Sequence, residues 1–149
     1  MYRFVDRSVE NLCNSGRFLL WAMRSWTKAA QSGQCPQRAM SGSIAGMGAL
    51  TILPDFHRAM ALINRHALEK IAVAPVKHAK ILEDEAILIG LWRDLANADF
   101  DRLRATLALL VNRESVAPIS RMMTAASAQL IAAGFDLSEL NAEPLKEMK

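Results

Sequence analysis

Long apolar runs, cysteine and aromatic side chains are all scarce in this chain of 149 residues, and each scarcity excludes a class of protein. The longest nearly uncharged stretch, residues 40–54, is interrupted by glycines and serines and is too short to cross a bilayer, so no transmembrane helix is expected. Arg3, Asp6, Arg7 and Glu10 stand where a secretory leader needs a cationic patch followed by an unbroken apolar run. A cytoplasmic location is the expectation. The only two cysteines, Cys13 and Cys35, lie outside any C-x-x-C arrangement and give no disulfide framework, so both are expected to be buried free thiols. No alternating pattern of useful length marks a β-strand, and no fixed period marks a solenoid.

What is present is ordinary globular chemistry. Apolar residues make up 52% of the chain and charged residues 22%, which places it away from disorder and predicts one domain with one core. The formal charge of +3 conceals a polarity. Residues 1–80 carry eleven Lys and Arg against four Asp and Glu, whereas residues 81–149 carry seven against eleven. Such an imbalance either draws the two halves together across the fold or presents a basic surface to an anionic partner.

Apolar residues return at every third or fourth position, and this period predicts an all-α bundle of about six helices. The first runs from about Ser8 to Ser32, with Asp6 or Ser8 as its cap and Gly33 as its stop. Pro36 opens a second through Met40, Ile44, Met47 and Leu50. Pro54 interrupts the pattern, and Asp55 caps a third that ends near Ile71. Residues 72–80 form an ordered connection, with room for a brief extended piece. Glu83, Asp84 and Glu85 supply the acidic first turn of a fourth helix that reaches about Ala96. Asp99 caps the fifth, Ser115 opens the sixth, and Gly134 closes it. The ordered core thus spans about residues 8–134, followed by a C-terminal tail over 135–149.

Catalytic and metal-binding patterns find little support. Cys13, Cys35, His57, His66 and His78 have no ligand spacing, so no metal and no cofactor is expected. No serine sits in a nucleophile elbow, and the glycine-rich segment 41–48 lacks the lysine of a phosphate-binding loop. His66, with Leu68, Glu69 and Lys70 after it, resembles the phosphate-accepting histidine of helical phosphotransfer bundles, but Glu69 replaces the lysine found there and would repel a phosphoryl group.

The sharpest local feature is a mixed face on the first helix, where Arg17, Phe18, Trp21, Arg24 and Lys28 recur at helical spacing away from the Leu12, Leu19, Met23 stripe. Cations around an aromatic ring suit a partner's groove, a membrane surface or nucleic-acid bases. The apolar Phe18 and Ala22 beside them favour a protein partner, and the basic excess is too small to favour nucleic acid. Gly42 and Gly46 share a face of the second helix and are read as a site of close backbone approach, intramolecular or between copies.

Leu19-Leu20-Trp21-Ala22-Met23-Arg24, then Val73-Ala74-Pro75, then Asp84-Glu85-Ala86 make the chain resemble a family of small, uncharacterised helical proteins from alphaproteobacteria over residues 18–131. That resemblance implies an all-α cytoplasmic protein and no particular activity. The family often carries cysteines after its Ala-Pro pair; this chain has Val76, Lys77 and His78, so no redox or metal role follows. The functional expectation is a non-enzymatic helical interaction or regulatory module acting on a protein partner or on a second copy. Two alternatives stay open: a small enzyme or small-molecule binder with a pocket between helices, and a binder of anionic surfaces through the basic first half.

Overall fold

The computed structural model describes residues 7–138, and these form an all-α, single-domain bundle. Its helices are α1 (Asn14–Gln31), α2 (Pro36–Gly46), α3 (Leu53–His66), α4 (Glu83–Ala96), α5 (Phe100–Leu110) and α6 (Val116–Ala132). None of them is long and apolar enough to cross a membrane. Asp6 and residues 139–149 of the expected tail lie outside the described residues.

α4 is the central rod. Residues 88–95 are buried without interruption, the signature of a helix enclosed on all sides. Trp92 is fully buried and stacks on Phe56 of α3, with ring centroids 6.0 Å apart. α3 and α6 form the most extensive helix pair, through Met60, Ile63, Met123 and Leu130 among other core residues, while α1 lays Leu19, Leu20 and Met23 against the same interior.

Most boundaries follow from local chemistry. Gly33 and Gly134 take positive φ, the left-handed geometry that terminates α1 and α6 at little cost to glycine. Asp99 caps α5 by accepting from the Arg102 amide. Pro54 does not interrupt α3 but sits in its first turn, where a missing N–H costs nothing.

Three boundaries differ from the sequence reading, those of α1 and α3 because tertiary bonds claim the backbone and that of α2 because local bonds back to Ile44 and Ala45 and a positive φ at Gly48 end the helix. α1 begins at Asn14, since Ser8 caps a single 3-10 turn over Val9–Asn11 and the chain is extended at Leu12 and Cys13. α2 ends at Gly46, and Leu50–Ile52 forms a separate 3-10 turn. α3 stops at His66 because Leu68 N–H donates to Leu110 O (2.8 Å) and Asn112 N–H to His66 O (3.1 Å), pinning the end of α3 to the end of α5. The expected ordered connection, residues 72–80, runs on to Leu82 at the N-cap of α4. Its last part is extended and pairs with the segment before α1: Val9 N–H donates to Ala79 O (2.8 Å) and Ile81 N–H to Arg7 O (2.9 Å). The first residues of the expected tail belong to the core as well, since Leu137 is fully buried.

Candidate interaction trough and the buried ion pair beside it

The mixed face expected on α1 is divided by the structure. Arg17 and Lys28 are exposed and Trp21 is half-buried. Phe18 and Arg24 are not surface residues: Phe18 is covered by Phe135, whose ring stacks on it at 4.1 Å, and Arg24 is 2% exposed. Connection 72–82 folds back over this part of α1 and converts a cation that helical periodicity assigns to solvent into a buried one.

Arg24 is fully satisfied there. Its Nε and Nη2 donate to the two carboxylate oxygens of Glu85 at 2.7 and 2.9 Å. Nη2 also donates to Lys80 O (2.8 Å), and Nη1 to His78 O (2.8 Å) and Val76 O (3.5 Å). Five N–H donors meet five acceptors, the planar fork geometry only arginine supplies. Glu85 accepts in addition from Ala74 N–H (2.9 Å) and Leu82 N–H (2.9 Å). The second of these is one half of a capping box, since Leu82 is the N-cap of α4 and has no side-chain acceptor to return the bond. Asp84 accepts from Ala72 N–H at 2.7 Å. Two of the three acidic residues that open α4 therefore fasten the connection, beyond complementing the helix dipole. Arg24, Ala74 and Glu85 meet at this point.

On the outer side of the same connection lies a trough. Three hollows adjoin along α1, the loop after it and the start of α2: one between Thr27, Gln31 and residues 73–76, a middle one walled by Trp21, Ser25, Met40 and Ser43, and a third lined by Gln34, Cys35, Arg38 and Ala39. Lys28 and Val76 are shared by the first two, and Gln34 and Ala39 by the last two. Among the described residues no carboxylate lines any of them. The sequence accounts for that: between Glu10 and Asp55 the chain has Arg17, Arg24, Lys28 and Arg38 and no acidic residue at all. With Arg24 consumed by Glu85, Lys28 and Arg38 are the cations offered to an occupant, beside the apolar surfaces of Trp21, Met40 and Val76.

The remaining candidates separate. Gly42 and Gly46 are both exposed, and a Cβ at either would meet nothing within 4 Å, so no backbone of the same chain approaches them: α2 turns the other face, Met40 and Ile44, to the core. Neither cysteine is fully buried: Cys13 is half-buried and Cys35 exposed, because both precede helices as N-caps instead of lying on an inward stripe. The three histidines do not converge. His57 Nδ1 accepts from Trp26 Nε1 at 3.0 Å, which requires a bare Nδ1, and burial together with the neighbouring Arg58 holds its imidazole below the ordinary pKa. His66 Nδ1 pairs with Asn112 Nδ2 at 3.3 Å, and His78 is exposed on the connection. Among the described residues no three His, Cys, Asp or Glu side chains gather in a metal-holding group.

Sequence reasoning missed Asp94. It is buried between α4 and α5 beside Arg93, Arg102 and Thr106 around a cavity of about 90 Å³, and desolvation raises its pKa against the pull of the two arginines. That space holds a few water molecules and no substrate of ordinary size. Its signal in the sequence was a charged pair, Arg93-Asp94, inside the most apolar stretch of α4.

Compared with protein-family models, with curated proteins and with solved structures, the chain matches none.

Proposed function

We propose that this protein is a non-enzymatic helical interaction module whose trough between α1, α2 and connection 72–82 receives an acidic, partly apolar segment of a protein partner. The observation that carries the reading is the charge of the trough: three adjoining hollows that, among the described residues, offer two available cations and no lining carboxylate. An anionic segment entering it meets cations and no described carboxylate, while half-buried Trp21 offers the apolar contact and low side-chain entropy typical of a docking anchor. The buried ion pair supports this role indirectly, because it fixes the wall formed by residues 73–76 before any partner arrives. Membership of the alphaproteobacterial helical family is part of the proposal and adds no activity to it.

The test is an amide-shift titration of the labelled protein with a synthetic amphipathic peptide of Glu, Leu and Ala, run beside the same peptide with Lys in place of Glu. The expected result is saturable shifts at Trp21, Lys28, Arg38 and Val76 with the acidic peptide and none with the basic one. Shifts clustered elsewhere, or equal response to the two peptides, would overturn the reading.

A further inference from the structure

The end of the described chain lies against the trough. After Gly134, Phe135 stacks on Phe18 with planes inclined by 17°, and Phe18 in turn lies 6.0 Å, centroid to centroid, from Trp21, which walls the middle hollow. Leu137 is buried two residues later and Ser138 is exposed, its N–H and Oγ both donating to Asp136 Oδ1. The chain therefore leaves the bundle a few residues from the aromatic end of the trough.

The sequence that continues from this point has the character the trough selects. Residues 139–149 place Glu139, Glu143 and Glu147 at intervals of four, with Leu140, Leu145 and Met148 among them, and their three glutamates outnumber Lys146 and Lys149. Along α1 the distance from Trp21 to Lys28 is about 10 Å at 1.5 Å per residue, whereas eleven residues span up to roughly 36 Å when extended. Reach is no obstacle along α1 from Trp21 to Lys28.

We infer that residues 139–149 are the resident occupant of this trough, with their glutamates against Lys28 and Arg38 and their apolar side chains toward Trp21 and Val76. This rests on the trough as a docking site for acidic segments and adds that an external segment binds by displacing the chain's own. Tethering makes the internal contact concentration-independent, so the fraction of molecules with the trough open sets the apparent affinity for a partner.

The probes are already in the protein. Trp26 and Trp92 are 5% and 0% exposed, so acrylamide quenching reports chiefly on Trp21 at one end, and the exposed Cys35 thiol reports on the other. The full chain is compared with its Glu139→Lys/Glu143→Lys/Glu147→Lys variant, with circular dichroism as the check on folding. The expected result is a quenching constant and a Cys35 modification rate that rise severalfold in the variant, and in the unaltered chain when salt is raised to about 1 M, where screening reaches within about 3 Å. Zero-length carbodiimide coupling of the unaltered chain should join Lys28 to one of the three glutamates within a single molecule. Equal quenching and thiol rates with no such cross-link would overturn the inference, and cross-links found only between two molecules would overturn it in favour of a second copy. Failure of both chains to bind the Glu, Leu and Ala peptide would sink the docking function, while the quenching and cross-link results judge the tail by themselves.

Discussion

Arg24 and Lys28 stand one turn apart on the same helix and meet opposite ends. Arg24 is enclosed by connection 72–82 and holds five acceptors; Lys28 lies just beyond the cover, on the rim of the trough, with no carboxylate of the described residues along its lining. The difference teaches that a charge on a helix face is assigned by what folds over it as much as by the helix. The guanidinium can satisfy a ring of carbonyls in a fixed plane; an ammonium on a flexible stem is better left to water or to a partner.

The comparison breaks most visibly at Arg24. Arg24→Ala leaves Glu85 charged and buried and frees three carbonyls, so a loss of about 3–5 kcal/mol is expected in denaturant unfolding. A loss under about 1 kcal/mol would mean that the connection does not depend on the ion pair. Lys28→Glu/Arg38→Glu should show the inverse pattern. Stability should stay within about 0.5 kcal/mol of the parent, while binding of the acidic peptide weakens roughly tenfold by titration. If the variant instead unfolds more easily and binds unchanged, hub and trough have been assigned the wrong way round.

Two smaller effects sharpen the picture of the helices around them. On α2, exposed Gly42 has free space for a methyl group, so Gly42→Ala should raise stability by about 0.5–1 kcal/mol in a melting experiment. A decrease would restore the close-packing face that the structure removes. The last effect concerns the polar anchor of α1 to α3, the Trp26 to His57 bond. His57 has a folded pKa below its ordinary value of 6.5, so the unfolded chain binds the extra proton first. The stabilising contribution is complete above about pH 6.5 and is lost as pH falls from there through the folded value. Nuclear magnetic resonance titration of the His57 ring should give a midpoint below that of a free histidine, and His57→Leu should remove this part of the pH slope.

How much of this was legible in advance depends on which interactions are local. α4 begins at Glu83 and ends at Ala96 where the acidic first turn and the Asn97 break put its ends, and Gly134 follows α6 where expected, because caps and glycine turns are written within a few residues. The end of α3 was not legible, since it is decided by backbone bonds to Leu110 and Asn112 more than forty residues away. Trp21, Arg17 and Lys28 were read as an outward face and do lie at least partly outside; Phe18 and Arg24 were read with them and lie inside. Amphipathic reasoning sends every arginine to solvent, and the segment that covers Arg24 has no periodicity by which to announce itself. The opposed charges of the two halves were the one available hint. Arg24 with Glu85, sixty-one positions apart, is an attraction between those halves.

The most direct trial of the account is hydrogen exchange along the full chain, with and without the Glu, Leu and Ala peptide. The Ala74 and Leu82 amides, bonded to buried Glu85, should exchange slowly in both states, while amides from Gln31 to Ala39 and at Val76 should slow on peptide binding in the Glu139→Lys/Glu143→Lys/Glu147→Lys variant, whose own segment leaves the trough open. Rapid exchange at Ala74 and Leu82, or peptide-induced protection that bypasses the trough, would contradict it.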